Sequence, residues 1–310
     1  MFRNRQNQRR QRDTYGVMLL AFQLMNSGPI PPVTLVTILA QIAIYLDFIP
    51  FLGPDRTMEM CLRPDIILRR GEYYRLLAPV FMHADDMHLY YNMISMLWKG
   101  RRMEKMMGGA RFLAMLLVFV LLTPIATVAV SVGIDQLFNT EYSYQCGVGF
   151  SGVLFALKVV LNNLRPHDHE ALFGWIPIPT RYASWIELVV IQMLTPNASF
   201  VGHLGGIICG LAYTSGLLTV LVEPLYQIID SGFGGVFEEA EEPTRGRAQG
   251  NDWSSWFRGF TNRWGQSQDQ GRTTGRRQDW SHYTGGMSED EQMRRAQEES
   301  LRQRRPYGWN

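Results

Sequence analysis

The stretch GVGFSGVLFALKVVL, residues 147–161, places one hydroxyl, that of Ser151, in a mostly apolar run. Gly147, Gly149 and Gly152 surround this serine. Glycine lets another backbone approach closely and lets helices pack tightly. The stretch therefore predicts a buried helix that presents a serine to a partner, and the rest of the chain must supply that partner.

The composition divides the chain into two parts. The 310 residues are 46% hydrophobic with a mean hydropathy of -0.10. Apolar runs crowd residues 15–222, whereas the rest is rich in Gly, Ser, Gln and Arg. The net charge of +2 is small and gives no argument for nucleic-acid binding. The 3 cysteines form neither a disulfide framework nor a zinc-binding spacing, and pairing of Cys61 with Cys146 is left open.

Six apolar segments are candidates for membrane-spanning helices, each of which needs ~20 mostly apolar residues. The candidates are 33–52, 88–103, 112–132, 146–162, 182–194 and 200–222. The run 15–25 is too short to cross and is expected to be interfacial or re-entrant. The placement of Lys and Arg favours a cytosolic N-terminus and, after six spans, a cytosolic tail.

The predicted fold is therefore an all-α polytopic membrane protein with six transmembrane helices in residues 15–222. A basic cytosolic segment, 1–14, precedes this domain. Residues 223–286 have the composition of a disordered cytosolic linker. Ser288 and Glu291 form a capping box that predicts a short helix over 287–305, followed by a terminal tail, 306–310.

Four polar residues are predicted to lie at one shallow depth in the membrane. Ser151 and His203 stand near the starts of the fourth and sixth spans, and His88 and Asn92 near the start of the second. Polar groups in a membrane are costly and indicate a function. An imidazole can activate a serine hydroxyl, and side-chain N–H groups can stabilise an oxyanion. The four together predict a serine hydrolase site.

Structural explanations compete with this interpretation. A lone serine in a spanning helix usually bonds to the preceding turn, and glycines four residues apart around His203 indicate helix packing. Lys158 is expected to snorkel to the inner surface and Glu187 to pair with Arg181. No carboxylate is evidently placed to orient His203, which favours a Ser–His dyad over a triad.

Three elements resemble the motifs of rhomboid intramembrane serine proteases, in the family's order and within residues 20–222. GVGFSGVLFA matches the GxSG element, GHLGGIICG the His-x-x-Gly-x-x-x-Gly element, and HADDMHLYYNM the His-x-x-x-x-His-x-x-x-Asn element. Gly100, Glu104 and Gly108 resemble the glycine–glutamate pattern of the family. Tyr74 and Arg75 stand where the family often has Trp-Arg.

The resemblance implies a six-helix bundle with a water-filled cavity and an endopeptidase that cleaves transmembrane substrates. It assigns Ser151 as the nucleophile, His203 as the base, and His88 and Asn92 as oxyanion donors. Supporting positions are His83, Gly149, Gly152 and Gly206. We predict neither a metal nor a cofactor.

The tail helix resembles a ubiquitin-interacting motif, which implies weak binding of ubiquitin or ubiquitinated clients. An acidic run precedes a stripe whose spacing puts its members on one helix face. The residues are Glu289, Asp290, Glu291, Met293, Ala296 and Ser300. The C-terminal LRQRRPYGWN only loosely matches a motif that binds an AAA segregase.

The resemblance places the chain in the endoplasmic-reticulum membrane, in the degradation of unstable or ubiquitinated membrane proteins, with both termini cytosolic. The arginine-rich start is also compatible with a mitochondrial presequence. The alternative function is that of a non-proteolytic, derlin-like membrane chaperone for ubiquitinated clients. The presence of both Ser151 and His203 favours the protease.

Overall fold

The computed structural model describes residues 14–49, 51–164, 169–172 and 176–238, and these form a mostly helical assembly. The helices are α1 Tyr15–Asn26, α2 Pro32–Tyr45, α3 Thr57–Met60, α4 Pro64–Arg70, α5 Tyr74–Phe81, α6 Asp86–Met107, α7 Gly109–Phe138, α8 Ser151–Leu164, α9 Thr180–Leu194, α10 Phe200–Thr214 and α11 Thr219–Glu238. Between α8 and α9, β1 His169–Leu172 pairs with β2 Ile176–Pro179 in an antiparallel hairpin. The predicted basic segment, most of the predicted linker and the predicted ubiquitin-binding helix lie outside the described residues.

A helix occupies each of the six segments for which a membrane span was predicted. Among the described residues, only α7 is long and apolar enough to cross a membrane by itself. The helices α10 and α11 pass the same test only as a pair, and α1, α2 and α8 are apolar but shorter. The number of membrane crossings therefore stays a prediction.

The prediction of one continuous helix over 200–222 is wrong. The helix α10 ends at Thr214, and the chain turns through Gly216, whose φ is 88°. The helix α11 then leaves at an angle of 80° to α10. Since α11 continues to Glu238, the predicted disordered linker is helical from 223 to 238.

The N-terminal helix α1 packs along α6. At the start of α6, the Asp86 carboxylate accepts a hydrogen bond of 2.7 Å from the backbone N–H of Gly16. A side chain at Gly16 would overlap the backbone carbonyl of Asp86. Fifteen residues along α6, the Arg101 guanidinium donates a bond of 2.6 Å to the Ser27 carbonyl, just beyond α1. The helix α1 therefore runs parallel to α6, and its expected interfacial or re-entrant position in the membrane stays a prediction.

The helix α2 returns in the opposite direction, and Glu104 of α6 holds its first turn. The Glu104 carboxylate accepts bonds of 2.8 Å from the N–H groups of Val33 and Thr34, and one of 2.7 Å from the Thr34 hydroxyl. A carboxylate at a helix N-terminus satisfies N–H groups that have no partner within the helix. The contact is close because Gly100 has no side chain: a Cβ there would lie 2.8 Å from the Thr34 hydroxyl oxygen. The glycine–glutamate pattern thus anchors α2.

A covalent bond joins the 51–85 loop, which connects α2 to α6, to the segment before α8. Cys61 and Cys146 form a disulfide with a Cα–Cα distance of 5.4 Å, which answers the question that the sequence left open. The buried Arg75 donates a hydrogen bond of 3.1 Å to the Cys61 carbonyl and one of 2.6 Å to Glu72. The loop is therefore a folded unit that rests on the segment leading to Ser151.

Candidate active site

Ser151 is the first residue of α8, and the backbone before it follows a path that requires glycine. Gly149 has a φ of 114°, which side chains rarely allow. Its N–H donates a bond of 2.8 Å to the Pro79 carbonyl of the 51–85 loop. A Cβ at Gly149 would lie 2.8 Å from both Cε1 and Nε2 of His88. Gly149 therefore lets residues 147–150, the nucleophile segment that leads to Ser151, pack directly on the His88 ring.

His203 lies in the first turns of α10, where Ser199 caps the helix. The Ser199 hydroxyl accepts a bond of 3.1 Å from the Gly202 N–H, and the Ser199 carbonyl one of 3.1 Å from the His203 N–H. This start brings the His203 ring to Ser151, with Nε2 at 2.9 Å from the serine Oγ. The partner that the opening stretch predicted is therefore this imidazole, which is 4% exposed.

Glycines allow α8 and α10 to approach closely enough for this contact. A Cβ at Gly206 would overlap the Gly152 carbonyl oxygen, and a Cβ at Gly152 would lie 3.0 Å from the Gly202 carbonyl oxygen. One turn after Gly206, a Cβ at Gly210 would lie 2.6 Å from the Cβ of Val159. The spacing of small residues around His203 serves helix packing, and this packing sets the distance between the two reactive side chains.

The second ring nitrogen of His203, Nδ1, is buried and has no hydrogen-bond partner among the described residues. Instead, the ring stacks on Phe155, with centroids 4.6 Å apart. Phe155 lies four residues after Ser151, so both project from one face of α8. Among the described residues, an aromatic ring rather than a carboxylate therefore holds the His203 imidazole in place. Sequence reasoning missed Phe155, although its i+4 spacing from Ser151 is a usable signal.

His88 presents its Nε2 edge to the nucleophile segment. The Ala84 N–H lies 3.4 Å from Nδ1 of His88, which leaves Nε2 to carry the hydrogen of the neutral ring. His83 packs edge-on against this ring with centroids 5.1 Å apart. Burial lowers the pKa of His83 well below its ordinary value, so His83 is a neutral neighbour. It contacts the His88 ring, and its supporting role stays a prediction.

Asn92 lies one turn deeper in α6 than His88. Its side-chain Nδ2 donates a bond of 2.8 Å to the His88 carbonyl, and its Oδ1 is buried without a partner among the described residues. An amide nitrogen has two hydrogens, so this bond leaves one for another acceptor. The assignment of Asn92 as an oxyanion donor stays a prediction.

A cavity opens beside Ser151. The 51–85 loop contributes Leu62 and Pro79, the segment before α8 contributes Val148, and α7 contributes the hydroxyl residues Thr127 and Ser131. The lining therefore combines apolar side chains with hydroxyl groups next to Ser151. No cluster of three metal-binding side chains occurs in the part of the chain that the structure describes.

Three charged side chains meet deeper in the bundle, and two predictions about them are wrong. Glu187 of α9 lies 3.5 Å from Nζ of Lys99 on α6 and 3.4 Å from Nζ of Lys158 on α8. Lys158 is therefore buried in an ion pair and does not snorkel to the surface. Glu187 pairs with these two lysines and not with Arg181, because helix packing brings together charges that are distant in sequence.

Comparison with known proteins agrees with this geometry. The rhomboid domain model matches residues 70–220. The chain is 35% identical over 309 residues to human rhomboid-related protein 4, covering 95% of this chain and 91% of the human protein. It is 40% identical over 187 residues to the mitochondrial rhomboid-like protein 14 of Arabidopsis thaliana, covering 59% of this chain and 55% of that protein. It is 26% identical over 165 residues to rhomboid-type serine protease 2 of Yarrowia lipolytica, with coverages of 52% and 51%. The chain is a membrane protein of the rhomboid family.

Proposed function

We propose that this chain is an intramembrane serine endopeptidase that uses Ser151 and His203. The observation that carries the proposal is the distance of 2.9 Å between the Ser151 Oγ and the His203 Nε2. In this mechanism His203 takes the hydroxyl proton as Oγ attacks the scissile carbonyl, and then gives it to the leaving amine. Water hydrolyses the acyl-enzyme in the second half of the cycle, again with His203 as the base.

The negative charge that develops on the carbonyl oxygen needs donors. The N–H at Nε2 of His88 faces the nucleophile segment, and the second amide hydrogen of Asn92 lies one turn deeper. Both groups are positioned by a helix rather than by a mobile loop, so little reorganisation is needed as the charge develops. His88 and Asn92 are therefore the proposed oxyanion donors.

The proposed substrates are transmembrane segments, which reach the site from a membrane crossed by six helices: α2, α6, α7, α8, α9 and α10. The membrane is proposed to be that of the endoplasmic reticulum, with the C-terminal tail in the cytosol. Residues 287–305 would bind ubiquitinated clients there, so that unstable membrane proteins are cleaved for degradation. The acidic run and the Met293–Ala296–Ser300 stripe in the sequence support this role.

For the N-terminus, two observations disagree. Its arginines favour the cytosol, whereas α1 begins beside Asp86, at the end of the bundle where Ser151 lies. A glycosylation acceptor site fused before residue 1, expressed in microsomes, decides between them. Modification places the N-terminus on the Ser151 side of the membrane, and a lack of modification favours the cytosol. The same acceptor site fused after residue 310 should stay unmodified.

The catalytic proposal is tested with purified protein and a labelled transmembrane peptide in proteoliposomes. The wild type should cleave the peptide, and Ser151→Ala should abolish cleavage while the thermal unfolding temperature stays within a few degrees. Equal cleavage by both proteins would exclude the dyad. If the wild type binds the peptide but does not cleave it, the chaperone alternative is favoured.

A further inference from the structure

The segment that leads into Ser151 is attached to the 51–85 loop by a covalent bond and by backbone pairing. Cys146 is joined to Cys61 by the disulfide. The next residues on each side, Gly147 and Leu62, exchange both of their backbone hydrogen bonds, at 2.8 and 2.9 Å. The disulfide thus lies directly beside an isolated antiparallel bridge between Leu62 and Gly147. It fixes the register between two chain segments that are 85 residues apart in sequence.

The contact continues to the nucleophile. The Gly149 N–H bonds to the Pro79 carbonyl at 2.8 Å, and the Phe150 ring lies 6.3 Å from that of Phe81. Ser151 follows directly as the first residue of α8. Only four residues separate the disulfide from the nucleophile, and two of them bond through their backbones to the loop.

A shift of this segment would disturb two parts of the site together. Gly149 packs on the His88 ring at a distance that excludes a side chain, so its movement changes the position of an oxyanion donor relative to Ser151. The segment and Leu62 also line the cavity beside Ser151. The disulfide is therefore placed to affect the geometry of attack, and not only the stability of a remote loop.

We propose that the Cys61–Cys146 disulfide positions the nucleophile segment for catalysis, so that its reduction slows attack by Ser151 without abolishing it. The inference rests on the proposed serine protease function. Reduction by a dithiol breaks the S–S bond, gives two cysteine thiols and converts the dithiol to a cyclic disulfide. Two electrons and two protons thus pass to the protein. Some activity remains because the Leu62–Gly147 and Gly149–Pro79 hydrogen bonds persist.

Reduction is sterically feasible from one side. Cys61 is 1% exposed, whereas Cys146 is exposed at the surface beside Met58. The third cysteine of the chain, Cys209, is buried in α10 and forms no disulfide. It therefore offers a control for effects of the reductant on a cysteine outside the bridge.

The experiment compares the full-length wild type, a Cys61→Ser/Cys146→Ser double variant and Cys209→Ala, each with and without dithiothreitol. A fluorophosphonate probe that reacts with activated serines gives two measurements. The final extent of labelling counts competent sites, and the rate of labelling reports how well Ser151 is positioned. Mass spectrometry without reductant establishes whether the bridge is present.

Dithiothreitol should slow labelling of the wild type and of Cys209→Ala by about 10- to 100-fold, as expected for a small misplacement of reacting groups. The double variant should label at the slow rate with or without dithiothreitol, and all three should reach the same final extent. Peptide cleavage should show a lower kcat with little change in KM. Reoxidation should restore the wild-type rate.

Other outcomes overturn the inference. Equal rates for oxidised and reduced wild type would show that the hydrogen bonds alone hold the segment. A fall in the final extent without a change in rate would show that the bridge serves folding only. If the untreated wild type has the mass of the form with two free thiols, the bridge is absent and the inference fails. If no form is labelled at Ser151, the proposed function fails and not only this inference.

Discussion

Gly206→Ala tests whether the approach of α8 to α10 sets the reactivity of Ser151. A Cβ at this position would lie 2.8 Å from the carbonyl carbon of Gly152, and it would overlap the carbonyl oxygen. Because carbon atoms in contact prefer a separation of about 3.5 Å or more, the helices must part by at least about 0.7 Å. The clash is with backbone, so no side-chain rotation relieves it.

Such a displacement is large relative to the tolerance of the dyad. If the displacement is directed along the line from the Ser151 Oγ to the His203 Nε2, their distance grows from 2.9 Å to about 3.6 Å. At that distance the two atoms no longer form a hydrogen bond. We expect kcat to fall by about 10²-fold, with a smaller change in KM, because the base no longer meets the hydroxyl.

The assay is cleavage of a labelled transmembrane peptide in proteoliposomes, with thermal unfolding measured on the same preparations. Gly133→Ala in α7 is the matched control, since a Cβ there has no neighbour within 4 Å. That variant should keep wild-type kcat. A folded Gly206→Ala protein whose kcat stays within a factor of two would refute the view that this glycine contact sets the dyad distance.

Three further changes, two of them with a control variant, test other parts of the molecule. Asn92→Ala should lower kcat by ~10²–10³-fold through loss of an oxyanion donor; the buried Asn162→Ala should not, and equal losses would make Asn92 a packing residue. Glu187→Gln should lower the free energy of unfolding by about 2 kcal/mol, less than for a fully buried pair because the Glu187 side chain is 27% exposed. Glu223→Gln at the surface should cost at most about 1 kcal/mol in the same unfolding assay, and an equal loss would contradict a special role for Glu187. Deletion of 287–305 should slow cleavage of ubiquitin-fused substrates and leave an unmodified peptide unaffected; equal losses on both would show that the tail supports folding.

Several site residues could be predicted from the sequence because they are polar residues within apolar segments. Ser151 and His203 are polar residues in apolar runs, and their side chains lie in contact in the structure, whereas their catalytic roles stay a prediction. Phe155 was missed because an aromatic residue in such a run usually belongs to the core, and only its i+4 spacing from Ser151 set it apart. The break at Gly216 was missed because apolar residues predominate on both sides of the short polar stretch Thr214–Ser215. Its single glycine was the available signal.

Other features depend on contacts between distant parts of the chain. The partners of Glu187 come from α6 and α8, so the nearest arginine in sequence, Arg181, was the wrong choice. The pairing of Cys61 with Cys146 depends on how the 51–85 loop folds onto the segment before α8. Sequence spacing alone predicts neither the ion pairs of Glu187 nor the disulfide, because both contacts form only when the helices have packed.

The two carboxylates of α6 that hold the N-terminal helices also set an order of assembly during synthesis. The backbone N–H of Gly16 has its acceptor 70 residues later, at Asp86, and that of Val33 has its acceptor 71 residues later, at Glu104. At a synthesis rate of roughly 5–20 residues per second, α1 and α2 exist for about 4 to 14 s before their first-turn N–H groups can find these partners. Until then, the cost of unsatisfied backbone groups opposes their burial in lipid. The helix α1 can therefore first dock when the start of α6 has been made, and α2 only when residue 104 has been made. A ribosome stalled before residue 104 would leave α2 exposed to membrane chaperones.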